Sequence, residues 1–361
     1  SMFIEGDMAE TLADIRKAAE MLEADLLVAT SALAKLIAPP ITPKLRESIN
    51  NKRAATQDAY FKLNTLWYRH LHLPETRLLP HFSAEMAYFG TLRRRLNLMT
   101  ELQTLLMQVI RAKPLAIMPE PPAKGSPAAQ VIQGFEDVLY RMHDHISPPR
   151  PDPENYLGKH NDIPLPFGHF ARLMQLARRT SLALGRSAPL SFIDVGCGVG
   201  LKVLQAAQVF EIAQGLEYDA SRVPVADAMI RHQRRDQDKV FQADALEFDG
   251  YGNYDVIYAY KPLSLYDLIV QMEARIVSQA RPGTVLVMPY GEFEGRYEDY
   301  DLGRVAPLVY VTGYKNRDMK PLLRKIAQLG VFVPQDPKLR NFDEGFVAPL
   351  AEKLRHWGHL A

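Results

Sequence analysis

The chain has 361 residues, of which 47% are hydrophobic and 24% charged. This is an ordinary composition for a globular protein large enough for two domains. Lysine and arginine (43) nearly balance aspartate and glutamate (42), so bulk charge gives no attraction to nucleic acid or to an anionic membrane. A single cysteine excludes an intramolecular disulfide, and no zinc-type cluster of cysteine and histidine occurs, so we expect no metal.

The sequence also contains no apolar run long enough for a transmembrane helix, and its acidic N-terminal stretch lacks a signal-peptide core. We therefore expect no membrane partner, and because a single cysteine fits a reducing compartment, we expect a cytoplasmic protein.

The first part of the chain has the apolar spacing of long helices. Apolar residues recur at alternating steps of three and four until the "PPITP" stretch, whose prolines cannot continue a helix. The positions are Leu12, Ile15, Ala19, Leu22, Leu26, Ala29, Leu33 and Leu36. Further helices are predicted over about 44–72, 84–112 and 128–145. Two arrangements fit this heptad pattern: a helical bundle within one chain, or a coiled-coil-like homodimer through these helices.

A proline-rich stretch at 147–166 is the predicted boundary, and it is either an extended linker or a lid over the site. The predicted domains are a helical domain at 1–146, this linker or lid at 147–166, a sheet domain at 167–315 and a helical extension at 316–361.

From Ser191 onward, short β-rich runs alternate with helical segments. The runs are "SFIDV", "AQGLEYD", "KVFQADA", "YDVIYAY", "TVLVMPY" and "LVYVTGYK" (308–315). This alternation predicts an α/β fold with a doubly wound, mostly parallel sheet that has helices on both faces. Two more helices are predicted in the tail, at about 319–328 and 344–357.

A glycine-rich turn follows the first predicted strand. Its pattern is Asp194-x-Gly196-x-Gly198-x-Gly200. Glycine permits positive φ and lets a ligand approach the backbone closely. The dinucleotide pattern G-x-G-x-x-G would require a third glycine at position 201, where Leu201 stands instead. Taken alone, the turn also fits a tight strand–helix connection that binds no ligand.

Two more acidic residues end the next predicted strands. Glu217 closes the second strand, and Asp244 with Ala245 closes the third. The carboxyl ends of parallel strands meet at one edge of a sheet, where open α/β folds bind ligands, so we expect Asp194, Glu217 and Asp244 to lie together. Taken alone, Asp244 also fits a helix N-cap.

As a set, these motifs resemble motif I and the following strand ends of the class I S-adenosylmethionine-dependent methyltransferases, over about residues 167–315. The resemblance implies a seven-stranded Rossmann-like sheet with S-adenosyl-L-methionine as its cofactor. It implies that Asp194 and the three glycines face the amino-acid end of that cofactor. It also implies that Glu217 accepts from the ribose hydroxyls, that Asp244 and Ala245 contact adenine, and that Tyr258 belongs to the cofactor site.

Candidate catalytic residues follow the fourth predicted strand, which ends in "YAYKPL". Tyr260 is a candidate hydrogen-bond partner for the methyl acceptor, and Lys261 is a candidate partner for an acidic acceptor. His160, in the predicted lid, is a candidate general base. Several N-methyltransferases have Asn/Asp-Pro-Pro-Tyr/Phe at this strand end, and this chain departs from that motif.

The leading hypothesis is a methyltransferase that acts by in-line transfer on a small-molecule acceptor. A protein acceptor is an alternative, since "DVGCGVGLKVLQAA" is similar to the motif I helix of seven-strand histone lysine methyltransferases. An RNA acceptor is a further alternative, which no motif of the sequence indicates. A second alternative is an interaction or regulatory protein whose helical domain carries the function while the sheet domain only binds cofactor. A dinucleotide oxidoreductase is the remaining alternative.

Overall fold

The computed structural model describes residues 2–72, 74–78, 82–149, 165–233, 235–332 and 344–360. These residues form two compact units. The first unit contains the described residues up to Lys113 together with 344–360, and the second contains those from Pro114 to 332. The stretch 114–146 thus belongs to the same unit as the sheet. The predicted extension at 316–361 contributes residues to both units.

The helices are α1 (Met2–Leu36), α2 (Pro43–His70), α3 (Phe82–Arg111), α4 (Pro127–Ile146), α5 (Phe167–Ala183), α6 (Leu201–Ala206), α7 (Val223–Arg231), α8 (Tyr266–Gln279), α9 (Gly291–Glu294), α10 (Met319–Ala327) and α11 (Ala348–His356). The strands are β1 (Ser191–Val195), β2 (Ile212–Glu217), β3 (Lys239–Gln242), β4 (Val256–Tyr258), β5 (Val285–Val287), β6 (Gly303–Ala306) and β7 (Val309–Val311). Across the described ranges, no helix combines the length and apolar character needed to cross a membrane.

Half of the heptad positions of α1 are buried inside the first unit. Leu12, Ala19, Leu26 and Leu33, one from each heptad, are fully buried, while the alternate positions are partly buried. The helix packs mainly on α2 and also on α11. An intramolecular bundle therefore accounts for the buried half of the pattern. The homodimer through these helices stays a prediction.

The second unit contains a seven-stranded sheet in the order β3-β2-β1-β4-β5-β7-β6. Every neighbouring pair from β3 to β5 is parallel, and β7 alone runs antiparallel to the other strands. The α/β fold with a mostly parallel seven-stranded sheet is confirmed. The last predicted strand is shorter than expected, covering only Val309–Val311, and the edge strand β6 was not predicted. Its residues, "GRVA", show no apolar alternation, so nothing in the sequence marked them as a strand.

The guanidinium of Arg179, in α5, links distant parts of the second unit and is only 2% exposed. It donates to the carbonyls of Ala116 and Ile117 at 3.1 and 3.2 Å, and to that of Ile326 at 3.0 Å. Burial lowers the pKa of Arg179 to about 10. Beside it, the Leu115 N–H donates to the carbonyl of Ala327. Arg179 thus ties the first residues of this unit to the end of α10.

We expect Arg179→Met to destabilise the protein, because three carbonyls would lose their donor while the apolar packing volume is largely kept. An unsatisfied buried acceptor costs about 1–3 kcal/mol, and of the three bonds only that to Ile326 is fully buried, so water can recover part of the loss at the other two. A drop of about 3 kcal/mol in the free energy of unfolding is therefore expected in urea titrations. Arg172→Met, on the more exposed part of α5, is the control, and equal stability of the two variants would contradict this role for Arg179.

Candidate active site

A cavity of about 340 Å³ lies at the carboxyl edge of the sheet, within the second unit. Most of the predicted site residues line it, and they come from the ends of four strands, β1 to β4. These residues are Asp194, Gly196, Gly198, Glu217, Asp244, Ala245, Tyr258, Tyr260 and Lys261. The neighbouring Cys197 lines the cavity too, whereas the predicted Gly200 does not.

The glycine turn adopts backbone conformations that only glycine reaches easily. Gly196, Gly198 and Gly200 have φ values of 77°, 57° and 85°. A Cβ on Gly196 would lie 2.5 Å from the Cβ of Pro262, and one on Gly200 would lie 2.9 Å from the Cβ of Ala226. Gly196 therefore lets the end of β4 approach the turn, and Gly200 is required for packing on α7 rather than for lining the cavity.

The turn is also hydrogen-bonded to the neighbouring strand. The carbonyl of Leu216 accepts from the N–H groups of both Gly196 and Cys197, each at 2.9 Å. The Cys197 thiol is buried against Gly215, where an added Cβ would lie 2.7 Å from Sγ. The single cysteine thus serves as a small packing residue between β2 and the turn.

The carboxylate of Glu217 is held by two backbone donors. Its Oε2 accepts from the N–H of Gly198 at 2.7 Å, and its Oε1 accepts from the N–H of Asp219 at 2.9 Å. Both oxygens are therefore fixed beside the glycine turn, in the wall of the cavity. The orientation of this side chain does not depend on a ligand.

The other two acidic residues are placed by the ends of their strands. Asp194 is only 3% exposed, at the end of β1. Asp244, two residues beyond β3, accepts at Oδ1 from the N–H of Leu246 at 2.9 Å. This bond closes a turn at 245–247 and caps no helix, so the N-cap alternative for Asp244 is wrong, and the same side chain lines the cavity. The bond within the turn and a place in the cavity wall are therefore compatible for Asp244.

The end of β4 supplies a further part of the wall. Tyr258 is 2% exposed and packs edge-to-face on Phe170, with the ring centroids 5.0 Å apart. Tyr260 is partly buried in the wall. Lys261 has a φ of 47° and donates from Nζ to Oε1 of Glu292 at 2.6 Å. This hydrogen bond from Lys261 lowers the pKa of the Glu292 carboxyl below its ordinary value.

Helix α4 also forms part of the wall, which the sequence did not reveal. Five of its polar or charged side chains line the cavity: Gln133, Glu136, Asp137, Tyr140 and His143. The N–H of Gly168 donates to Glu136 at 3.3 Å, which joins α4 to the start of α5. The partly buried face of α4 repeats every three or four residues, but it mixes apolar and charged side chains. That mixture hid the wall in the sequence.

The candidate base His160 and most of the predicted lid lie outside the described residues, and their roles stay predictions. Among the described residues, His143 is the histidine in the cavity wall. Within the same part of the chain, no cluster of three or more histidine, cysteine, aspartate or glutamate side chains is placed to hold a metal ion.

No family model and no curated protein matches the sequence. Among solved structures, the chain is similar to an RNA methyltransferase from Salinibacter ruber in complex with S-adenosyl-L-homocysteine, with 23% identity, coverage of 35% of this chain and 76% of that one, and a TM-score of 0.29. It is also similar to a magnesium protoporphyrin IX methyltransferase from Synechocystis PCC 6803 with bound S-adenosylmethionine (15% identity, 54% and 100% coverage, TM-score 0.31). A third similar structure is an amino pentose methyltransferase from Micromonospora echinaspora, with 21% identity, coverage of 37% of this chain and 59% of that one, and a TM-score of 0.27.

These neighbours assign neither an acceptor nor a role to any residue of this chain. The seven-stranded, mostly parallel sheet is the architecture that the motif resemblance implies. What the chain does must therefore be inferred from its own cavity.

We expect Gly196→Ala to disrupt the site, since alanine is strained at this φ by about 1–2 kcal/mol and its Cβ would overlap Pro262. A loss of at least about 2 kcal/mol in the free energy of unfolding is expected from chemical denaturation. The control is Gly134→Ala in α4, where an added Cβ meets nothing within 4 Å. That change should instead stabilise the helix by about 0.5–1 kcal/mol. Similar stability in the two variants would contradict the close contact at Gly196.

Proposed function

We propose that the protein is an S-adenosyl-L-methionine-dependent methyltransferase. The observation that carries the proposal is the convergence of three carboxylates with the glycine turn on one cavity. Asp194, Glu217 and Asp244 lie at the ends of three adjacent strands, the order that the motif resemblance implies. Structural packing alone would not require acidic side chains at all three ends of the same cavity edge.

Each carboxylate fits one part of the cofactor. Glu217, fixed by two backbone donors, presents acceptor lone pairs to the two ribose hydroxyls. Asp194, beside the glycine turn, fits the methionine ammonium, directly or through water. Asp244 accepts from the adenine amino group, and the backbone of Ala245 follows at the ring edge. A carboxylate bonded to an N–H of the turn would repel a pyrophosphate, so this arrangement favours a sulfonium cofactor over a dinucleotide.

The bound cofactor supplies a methyl group on a positively charged sulfur. The chain must align the acceptor with the carbon–sulfur bond and exclude water from both. Tyr260 and Lys261 at the end of β4 are the proposed acceptor-side residues, because they line the same cavity as the carboxylates. We propose a small-molecule acceptor, since the acceptor-side residues lie in a concave cavity and a net charge of +1 gives no bulk attraction to a polyanion.

Isothermal titration calorimetry with S-adenosylmethionine, S-adenosylhomocysteine and NADH tests the cofactor. We expect both adenosyl compounds to bind and NADH not to bind. Glu217→Ala should weaken the binding of both adenosyl compounds by about 1.5–3 kcal/mol, the range for lost hydrogen bonds to a charged group. Asp301→Asn, at a surface ion pair with Lys315, is the matched control and should bind like the unmodified protein. Tight NADH binding without S-adenosylmethionine binding would overturn the proposal.

A second variant tests the base-recognising role of Asp244. In Asp244→Asn the amide oxygen can still accept from the N–H of Leu246. The amide NH₂ group, a donor, then faces the adenine amino group, which is also a donor. Two donors that face each other should weaken the binding of S-adenosylhomocysteine about tenfold or more, by roughly 1.5–3 kcal/mol. S-inosylhomocysteine, with a carbonyl at that ring position, should lose much less affinity or gain some.

The readout for Asp244→Asn is the ratio of the two affinities, measured by calorimetry. Asp249→Asn, at an exposed ion pair with Arg275, is the control. Equal losses for both ligands would remove Asp244 from adenine recognition.

A further inference from the structure

Lys261 has a backbone conformation that a lysine rarely adopts. Its φ of 47° lies in the left-handed region, which brings the Cβ of an L-residue close to the carbonyl oxygen. The following residue is Pro262, whose ring further restricts the conformations of the residue before it. Strain of this kind persists only where the surrounding structure enforces it, and it occurs often at ligand sites.

The strained residue lies where the glycine turn and the β4 end touch. Pro262 packs directly on Gly196, so close that no Cβ fits between them. Lys261, the residue before this contact, lines the cavity next to the turn proposed to hold the amino-acid end of the cofactor. A lysine at this point is positioned by a fixed backbone contact rather than by a flexible loop.

The partner of Lys261 is a carboxylate that is easily exchanged. Glu292, in the short helix α9 after β5, accepts from Nζ of Lys261 at 2.6 Å. The glutamate side chain is 51% exposed and the lysine side chain 30% exposed. Ion pairs with this exposure contribute little to stability, because water and salt screen them. The pair therefore does not offset the strain at Lys261, and stability alone does not account for the arrangement.

We propose that Lys261 anchors a carboxylate of the methyl acceptor, and that Glu292 occupies that position until the acceptor binds. The inference rests on the proposed methyltransferase function and names its substrate class. Aromatic and apolar side chains line the same cavity, among them Tyr260, Leu263 and Phe167. The acceptor that fits is a small carboxylic acid with an aromatic or apolar body, held at its charged end by Lys261.

Probe compounds test this without knowledge of the natural acceptor. The full chain, saturated with S-adenosylhomocysteine, is titrated with benzoate, benzyl alcohol and benzylamine at low salt. Benzoate should bind most tightly. Lys261→Met should weaken benzoate binding about tenfold or more and leave the affinity for benzyl alcohol unchanged. Glu292→Gln should strengthen benzoate binding severalfold, because it removes the competing carboxylate.

Lys315→Met is the matched control, since Lys315 also forms an exposed ion pair but does not line the cavity. It should leave benzoate binding unchanged. Tighter binding of benzylamine than benzoate, or unchanged benzoate affinity in Lys261→Met, would overturn the inference. An unchanged affinity in Glu292→Gln would overturn the competing role of Glu292. Failure to bind S-adenosylhomocysteine would contradict the proposed function instead, and benzoate titrated onto the protein alone would then show only whether Lys261 binds a carboxylate.

Discussion

The hydrogen bonds between the glycine turn and the end of β2 are the constraint on which the candidate site depends. One carbonyl, that of Leu216, accepts from two successive N–H groups of the turn, and the next residue, Glu217, accepts from a third. These bonds fix the ends of β1 and β2 relative to each other. The cavity edge is therefore built from backbone geometry, and the side chains that line it need little reorganisation to receive a ligand.

The sequence was informative where the signal is local. The bounds of α2, α3, α4 and α10 were predicted to within a few residues from apolar spacing and prolines, whereas the helices between the strands had no predicted bounds. The turn was identified because three glycines at alternate positions after an apolar run are typical of a sharp strand–helix connection. The site was less accessible where it depends on contacts between distant residues. Gly196 must lack a Cβ because Pro262 packs against it, and the Glu217 carboxylate accepts from the N–H of Gly198. Neither of these two contacts has a sequence signature.

The wall formed by α4 shows a different limit. Its side chains are Gln133, Glu136, Asp137, Tyr140 and His143, and they face a cavity rather than a close-packed core. A helix that borders a polar cavity has a mixed face, which resembles a solvated surface when only the sequence is known. The mixed face of α4 was thus itself a consequence of the site. The lining residues also differ in how they are held, since backbone donors hold Glu217 rigidly while Lys261 has an exchangeable partner.

The contacts of Arg179 bear on where this chain can be divided. The proline-rich stretch after 146 looked like the natural cutting point, since its composition is that of a linker. The carbonyls that accept from the buried guanidinium, however, belong to Ala116 and Ile117, about thirty residues earlier. A fragment that begins at the prolines would leave a buried positive charge short of acceptors. A fragment that begins at Pro114 keeps these carbonyls and the α4 wall of the cavity. It is shorter than the full chain, and we expect the site to remain intact in it.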